Sequence, residues 1–256
     1  MFDAHVHLDR LADPDNALVR ARKAGVQQFL LPSVGPETWK AQSALAQRHT
    51  DVHLAFGLHP WYAARQTPEE RIRDLRALRK CIEKEKPVAL GEMGLDHHPH
   101  FETSTHDAQE KTFAAQLAMA HLFNLPVVLH VVRAHGACIN ILREMGLPSA
   151  GGMVHSFSGS KESAMVYVAM GLHISFSGGL TRPMARKTRE AAQTVPLDRI
   201  LLETDAPDQL PHPREAIQNE PAFLGDVVQC MADLRQLKTV DVAAQTEQNA
   251  RKLFGI

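Results

Sequence analysis

Short apolar runs alternate with longer amphipathic stretches along the whole chain. Apolar runs of about four to eight residues bounded by polar ones indicate strands buried on both faces of a sheet. Eight such strands are predicted: Phe2–Leu8, Gln28–Val34, Val52–Leu58, Val88–Leu95, Val127–Val132, Gly152–Phe157, His173–Phe176 and Ile200–Thr204. The 256 residues leave about 32 for each unit, enough for one strand, one helix and two loops.

The stretches between the strands carry helix signals. Thr67 is a capping residue, followed by a proline at the first helical position and by Glu70 three residues after the cap. Apolar residues then recur at helical spacing, at positions 72, 75, 78 and 82. A second helix is predicted over about Thr105–Phe123, with Phe113, Leu117 and Ala120 on one face and Asn124 and Pro126 where it should end.

Alternating strands and helices predict an α/β fold with a parallel sheet. Both the number of units and the length favour a closed (β/α)₈ TIM-type barrel, formed as a single domain by residues 1–256. The alternative is an open, doubly wound sheet. That fold would place a glycine-rich phosphate turn after the first strand, and the sequence has none there.

Composition and charge narrow the class of protein. Hydrophobic residues make up 44% of the chain and charged residues 22%, as in a globular protein with a sizeable core. The 28 basic and 29 acidic side chains give a net charge of −1, which excludes a strongly basic nucleic-acid coat but allows an enzyme that binds one strand end.

Three observations predict a cytoplasmic protein without a membrane segment. Cys81, Cys138 and Cys230 form no CxxC pair, which favours a reducing compartment. No signal peptide is evident at the start of the sequence. No apolar stretch approaches the roughly 18 residues that a membrane span needs.

The 15 histidines are the first chemical lead, because two of them lie on the first predicted strand. His5 and His7 share one parity, so alternation predicts both imidazoles on one face, roughly 6.5–7 Å apart along the strand. Two ligands that bind one ion from a single strand have this spacing. Two unrelated polar residues at a strand end would also give the pattern.

Further candidate ligands stand at the ends of other predicted strands. They are Glu92, His130, His155 and Asp205, on strands four, five, six and eight. In a barrel the carboxyl ends of the strands meet at one rim, where active sites of this fold are built. Four imidazoles and two carboxylates suit Zn²⁺, Mn²⁺ and similar ions, or Mg²⁺ when water and substrate complete its shell.

Six ligands exceed what one tetrahedral ion needs, so two divalent ions bridged by a carboxylate are predicted. For any one of these residues alone, a hydrogen-bonded side chain at a strand end is the simpler interpretation. Convergence of all six on one rim makes that interpretation improbable for the set.

Several neighbours of these positions have two interpretations. His59 ends the third strand and is expected to contact substrate or support the site, or else to fix its turn. Glu203 and Asp3 precede Asp205 and His5 with the same parity, and each is expected to be a buried, paired group. Trp61 and the tyrosine after it could stack on a base or cover the barrel end.

Ordered motifs run along the whole sequence. They are residues 2–9 (FDAHVHLD), 57–60 (GLHP), 91–96 (GEMGLD), 124–130 (NLPVVLH), 154–160 (VHSFSGS), 201–207 (LLETDAP), 219–221 (NEP) and 249–254 (NARKLF). Together they resemble the TatD family of metal-dependent hydrolases, which belongs to the amidohydrolase-like barrels. The resemblance implies a hydrolase with one or two divalent ions, which in several members is a deoxyribonuclease that trims DNA from the 3′ end.

The resemblance also implies a role for each candidate ligand. His5 and His7 would hold the first ion, which Asp205 would complete. The second ion would be held by His130 and His155, and Glu92 would bridge both ions. A metal ion lowers the pKa of bound water from 15.7 to about 7. Asp205 or Glu92 could accept the proton, and Asp205 is the expected base.

Two segments depart from the family pattern, and both lie in loops expected to meet substrate. After His130 the family has Ser-Arg followed by an acid, whereas here Arg133 comes one position late and on the opposite parity. It remains a candidate substrate-binding residue together with His59. After Asp96 the family has aromatic residues, whereas this chain has histidines at 97, 98 and 100, with another at 106. These histidines are either a solvated loop or a contact for phosphate.

The leading hypothesis is a hydrolase with two divalent ions, Zn, Mn or Mg, that cleaves phosphodiester bonds from a DNA 3′ end. The substrate would be a DNA strand end or a small phosphodiester, and no obligate protein partner is evident. The first alternative is hydrolysis of carboxylic esters or amides, such as aminoacyl esters on RNA, because a metal-activated water attacks carbonyl carbon too. The second is a metal-binding protein without catalytic activity.

Overall fold

Eight parallel strands form one sheet in chain order in this computed structural model, which describes all 256 residues. The strands are β1 (Phe2–Asp3), β2 (Gln28–Pro32), β3 (Val52–Phe56), β4 (Ala89–Asp96), β5 (Val127–Val132), β6 (Gly152–Val154), β7 (His173–Phe176) and β8 (Ile200–Leu202). Each strand pairs with the next in parallel register. The predicted α/β barrel architecture is confirmed.

Helices connect the strands and surround the sheet. They are α1 (Pro14–Lys23), α2 (Pro36–Arg48), α3 (Pro60–Ala63), α4 (Pro68–Glu85), α5 (His106–Phe123), α6 (His135–Met145), α7 (Lys161–Ala169), α8 (Arg186–Thr194), α9 (Leu224–Arg235) and α10 (Thr239–Phe254). Short 3₁₀ turns cover Leu8–Arg10, Thr103–Thr105, Gly178–Thr181, Leu197–Arg199 and Pro221–Phe223. No helix is both long enough and apolar enough to cross a membrane.

Hydrogen bonds between the first and last strands close the barrel. The Ala4 amide donates to the Leu202 carbonyl at 3.1 Å, and the Asp205 amide donates to the His5 carbonyl at 2.9 Å. The buried Asp3 carboxylate joins the same two segments, because it accepts from the Thr204 amide at 2.9 Å and from the Thr204 hydroxyl at 2.6 Å. Burial raises the pKa of Asp3 to about 7, although both Thr204 hydrogen bonds lower it.

Two apolar clusters fill the molecule. The larger lies between the helices and the outside of the sheet and contains 49 buried residues. The smaller takes side chains from seven strands, so it fills the inside of the barrel: Phe2, Leu30, Ala55, Ala89, Val128, Met153 and Leu201. Ala250 and Phe254 of α10 close this interior at the amino ends of the strands. The opposite end of the barrel is free for polar groups.

The predicted helix signals at α4 and α5 are confirmed. Thr67 and Glu70 form a reciprocal capping box at the start of α4. Helix α5 buries Phe113, Leu117 and Ala120, and it ends at Asn124, which has left-handed backbone angles. Its buried face packs against β4, which is the strand that carries Glu92.

Several predicted strands are too long, and the first is the most instructive case. The regular strand β1 ends at Asp3 rather than Leu8, and the chain bends at Ala4. Ala4 still packs inside the barrel, and the bend allows His5 and His7 to turn towards the barrel axis after it. Strands six and eight are likewise shorter than predicted, since they end at Val154 and Leu202 rather than at Phe157 and Thr204.

Replacing Thr204 with valine is expected to lower the free energy of unfolding by about 2 kcal/mol, because Asp3 loses a buried hydrogen bond. The comparison is Thr246→Val in α10, where the hydroxyl donates to the Val242 carbonyl of the same helix and the expected loss is about 0.5 kcal/mol. Urea unfolding of both variants measures the difference. Equal losses would show that Asp3 and Thr204 do not stabilise barrel closure.

Candidate metal centre

The six predicted ligands lie together at the carboxyl end of the barrel. None is more than 8% exposed: His5, His7, Glu92, His130, His155 and Asp205. Histidine and carboxylate atoms form three groups whose members lie within 4.8 Å of one another. Side chains up to 200 residues apart in sequence are therefore brought into one polar cluster, as their strand-end positions predict.

Glu92 occupies the middle of the cluster because of a β-bulge. Leu90 pairs with Val127 but Met93 pairs with Leu129, so one extra residue is inserted on β4. Such bulges redirect side chains next to active sites. Gly94 is required beside the bulge, since its φ is +137° and a Cβ there would lie 2.1 Å from the His130 carbonyl oxygen. The absence of a side chain lets β4 approach β5 closely.

The first donor set surrounds one oxygen of Glu92. His5 Nε2 lies 3.3 Å from His7 Nε2, and these nitrogens lie 3.4 and 3.6 Å from Glu92 Oε2. Both also lie 3.8 Å from Asp205 Oδ1. His5, His7 and Glu92 have the mutual spacing of metal ligands, and Asp205 lies beside both imidazoles.

The second donor set surrounds the other oxygen of the same carboxylate. Glu92 Oε1 lies 2.7 Å from His155 Nε2, 2.8 Å from His130 Nδ1 and 3.1 Å from His59 Nε2. The nitrogens of His130 and His155 are 3.2 Å apart. Glu92 thus presents its two oxygens to different imidazoles.

The histidines control the charge of Glu92. Burial acts to raise its pKa, but His155, His59 and His5, together with the hydrogen bond from His130, hold the pKa well below its usual range. Glu92 is therefore ionised at neutral pH.

The imidazoles fall into two groups. Burial, with a contribution from neighbouring histidines, lowers the pKa of His5 and lowers that of His7 to about 4. Burial also acts to lower the pKa of His155, but Glu92 and Glu203 hold it well above its usual range. Neutral imidazoles present a free lone pair to a cation, whereas His155 retains a proton that a metal ion would displace.

Asp205 differs from Glu92 in both charge and backbone. Burial raises its pKa well above the usual range; His155 opposes this rise, while Glu203 and Glu92 add to it. Its φ is +56°, a left-handed conformation that is costly for a residue with a side chain. The strained turn directs the carboxylate back over the barrel axis towards His5 and His7.

The donor chemistry fits divalent metal ions. Imidazole nitrogens and carboxylate oxygens are the donors that Zn²⁺, Mn²⁺ and related ions prefer. The facing nitrogens of His5 and His7 have no protein donor between them, and the other ring nitrogen of each is buried without a hydrogen-bond partner. A cation beside these atoms would be bound by both imidazole nitrogens and by the neighbouring carboxylate oxygens.

Asp96 is a functional residue that the sequence reasoning missed. It accepts from His130 Nε2 at 3.0 Å, from Trp61 Nε1 at 2.5 Å and from the His98 amide at 2.8 Å. A carboxylate behind a histidine fixes the ring and makes its other nitrogen a stronger ligand. Burial acts to raise the pKa of Asp96, but the hydrogen bonds from His130 and Trp61 lower it to about 2. Its place as the last residue of the 91–96 motif was the available signal.

Two glutamines of α5 fix the strand ends next to the cluster, and the sequence reasoning missed these as well. Gln109 accepts from the Asp96 amide at 2.7 Å and donates to the Asp96 carbonyl at 3.0 Å. Gln116 makes the same pair of bonds to Leu58, at 2.8 and 3.0 Å. Both glutamines are fully buried and seven positions apart, so they share one face of the helix.

Glu203 supports the opposite side of the cluster, as a buried paired group. Its Oε1 accepts from the Ser156 amide at 2.6 Å and lies 3.4 Å from His155 Nδ1, without the alignment of a hydrogen bond. Its Oε2 accepts from the Ser175 hydroxyl. Burial acts to raise the pKa of Glu203, but His155 lowers it below the usual range.

His59 and Trp61 lie on the edge of the cluster. His59 has two contacts, since its Nδ1 accepts from the Trp61 amide at 3.0 Å while its Nε2 faces Glu92. It therefore both caps the turn and enters the cluster. Trp61 is 40% exposed above His130, with ring centroids 5.9 Å apart. Tyr62 instead donates to Asp74 of α4 and points away.

Other candidates lie on the rim but outside the cluster. Arg133 follows β5 with a positive φ and an exposed side chain, and it makes no ion pair. The histidines that follow β4 contact each other in pairs. The rings of His97 and His106 are stacked, with centroids 3.6 Å apart, and those of His98 and His100 are tilted, with centroids 4.4 Å apart. None of them belongs to a group with metal-binding geometry.

Comparisons with known proteins give a consistent picture over the full chain. A family model described as TatD related DNase matches residues 2–255. The uncharacterized metal-dependent hydrolase YabD of Bacillus subtilis is 33% identical over 259 residues, covering 100% of this chain and 99% of the relative. The 3'-5' ssDNA/RNA exonuclease TatD of a Pantoea species is 37% identical over 267 residues, covering 99% of each.

A solved structure agrees with these relatives. The crystal structure of YJJV, a TatD homolog from Escherichia coli K12, matches with a TM-score of 0.92 and 32% identity, covering 100% of this chain and 98% of the other. The likeness therefore extends over the whole barrel.

Replacing Asp96 with asparagine is expected to weaken divalent-metal binding by about 10–100-fold, because His130 loses the carboxylate that orients it. Asp107→Asn is the matched control, since Asp107 is exposed on α5 and pairs only with Lys111. Equilibrium dialysis with Mn²⁺ measures both affinities, and circular dichroism checks the fold. Unchanged binding in a folded Asp96 variant would remove Asp96 from the site.

Proposed function

Since this chain belongs to the TatD family of metal-dependent hydrolases, we propose that it removes nucleotides from the 3′ end of a single DNA strand. The reaction is hydrolysis of a phosphodiester bond by an activated water. The single observation that carries the proposal is the position of Glu92, whose two oxygens face separate donor sets. A carboxylate that bridges two ions is the arrangement of two-metal phosphodiesterases.

The proposal assigns each ligand to one of two ions. His5, His7 and Asp205 would hold the first ion, His130 and His155 would hold the second, and Glu92 would offer one oxygen to each. His59 faces the same oxygen of Glu92 as the second set, so it is either an additional ligand or a contact for substrate. Ions bound there supply a water of lowered pKa and positive charge beside the phosphoryl oxygens.

The protein's own groups then move protons and fix positions. Asp205 is the proposed general base, because its carboxylate faces the cluster, with Oδ1 3.8 Å from His5 Nε2 and from His7 Nε2. Asp96 and Glu203 lie behind His130 and His155 and keep both rings in place. Residues on the rim have to orient the 3′ end of the substrate strand. Arg133 and His59 are the proposed substrate contacts.

The identity of the ions and of the substrate follows from the same chemistry. Histidine-rich donor sets favour Zn²⁺ or Mn²⁺, and Mg²⁺ suits the site when water and phosphate oxygens complete its shell. The net charge of −1 favours local contact with a strand end or a small phosphodiester over tracking along a duplex. Ester or amide hydrolysis finds no support among the relatives compared above. The cytoplasmic location and the lack of an obligate protein partner stay predictions.

Purified protein is expected to shorten a 5′-labelled single-stranded oligonucleotide stepwise from its 3′ end in the presence of Mn²⁺ or Mg²⁺. Removal of divalent ions by a chelator should abolish the reaction, and adding them back should restore it. Denaturing gels resolve the ladder, and the same strand in RNA tests the sugar preference. Intact DNA together with rapid hydrolysis of p-nitrophenyl esters would instead support the ester alternative.

Replacing His130 with alanine is expected to reduce turnover of that oligonucleotide by at least about tenfold, because the second donor set loses a nitrogen next to Glu92. His121→Ala is the matched control, since His121 is exposed on α5 and contacts only the Gly146 carbonyl. Steady-state rates of both variants give the comparison. Full activity of the His130 variant would contradict the assignment.

A further inference from the structure

A second polar cavity opens on the same rim, beside the metal centre. It lies between the segments that follow β6, β7 and β8 and has a volume of about 240 Å³. Ser156, which immediately follows His155, lines one wall, and Gln209, four residues after Asp205, lines another. The cavity is therefore lined by the residue that follows His155 and by the loop that follows Asp205.

The chemistry of the lining favours an anion. It contains four hydroxyl side chains, one amide and one guanidinium: Ser156, Ser158, Ser177, Thr188, Gln209 and Arg182. No aspartate or glutamate lines it. The metal centre, in contrast, is built around carboxylates. A cation would find no negative charge in the cavity, whereas a phosphate would find hydrogen-bond donors and one positive charge.

Arg182 is the positive group of the cavity, and its charge is uncommitted. The side chain is exposed, and it takes part in no salt bridge or side-chain hydrogen bond, unlike Arg189, which bonds to the Leu180 carbonyl. A guanidinium matches phosphate oxygens with two parallel N–H donors. Arg182 can therefore turn towards a ligand without breaking an existing contact.

The walls of the cavity are fixed rather than loose. The Ser156 and Ser177 hydroxyls bond to each other at 2.8 Å, and the Ser156 amide is held by Glu203. Ser156 and Gln209 both have a positive φ, at 41° and 54°. Gly178 lets the two loops meet, because a Cβ there would lie 1.8 Å from the Gln209 carbonyl oxygen. Strained backbone of this kind concentrates at ligand sites.

We propose that this cavity binds a phosphate of the nucleic-acid strand other than the one being hydrolysed. The inference rests on the proposed function and adds a second contact point for the strand. A volume of about 240 Å³ is below the range of pockets that enclose whole drug-sized ligands, so it suits a phosphate with part of its sugar. The hydroxyls of Ser156 and Ser177 and the guanidinium of Arg182 are the binding groups.

The test compares two substrates in the Arg182→Ala variant. For a single-stranded oligonucleotide, KM should rise about tenfold with kcat changed less than about twofold, and the salt dependence of log KM should lose a slope of about 0.7. For bis(p-nitrophenyl) phosphate, which carries only the scissile phosphodiester, both constants should stay unchanged. Arg182→Lys should recover part of the lost affinity.

Arg186→Ala is the matched control, because Arg186 is exposed four residues away at the start of α8 and does not line the cavity. An equal rise in KM in both variants would show a diffuse charge effect and overturn the proposal. An unchanged KM in the Arg182 variant would overturn it as well. A third outcome would also overturn it. If inorganic phosphate inhibits the Arg182 variant more weakly while the KM for DNA is unchanged, the cavity is a site for free phosphate.

Failure of the proposed function would give a different result. If the protein hydrolyses bis(p-nitrophenyl) phosphate but leaves DNA intact, the nuclease proposal fails. Fluorescence anisotropy then measures the binding of a labelled single strand, and it tests the cavity as a phosphate site independently of catalysis. The Arg182→Ala variant must bind that strand at least fivefold more weakly than the unmodified protein, or the cavity is not a phosphate site.

Discussion

One buried carboxylate, that of Glu92, connects the two sets of imidazoles at the carboxyl end of this barrel. Glu92 has an oxygen on each of two sets of imidazoles, so its position determines whether the cluster can hold one ion or two. The ionised side chain is stable in the interior only because positive or polar partners surround it on both sides. The bulge on β4, the glycine at 94 and the close β4–β5 approach all serve to place it there.

The surrounding scaffold makes that placement rigid. Closure of the barrel through Asp3 and Thr204 holds His5 and Asp205 against each other. On the other side, the glutamines of α5 hold the strand ends that carry His59 and Asp96. These bonds join main chain to buried polar side chains, which are costly to leave unpaired and therefore resist displacement. A preorganised cluster of this kind is what electrostatic catalysis on phosphodiesters requires.

The sequence was sufficient for the barrel and for which residues meet at its rim, because strand periodicity and strand-end position are local signals. It was insufficient where the backbone departs from regular geometry. Strand alternation predicts that His5 and His7 lie on one face. It does not predict the bend at Ala4, which turns the His5 imidazole towards the barrel axis. The bulge at Glu92 depends on its pairing with β5, and Asp96 and Gln109 gain their roles only through contacts made across the fold.

The claim that two ions share Glu92 is tested most directly by anomalous X-ray diffraction from crystals grown with Mn²⁺. The account predicts two peaks about 3.5–4 Å apart, one next to each oxygen of Glu92. The first should contact His5 and His7, and the second should contact His130 and His155. A single peak, or peaks that leave Glu92 outside the coordination of both ions, would contradict it.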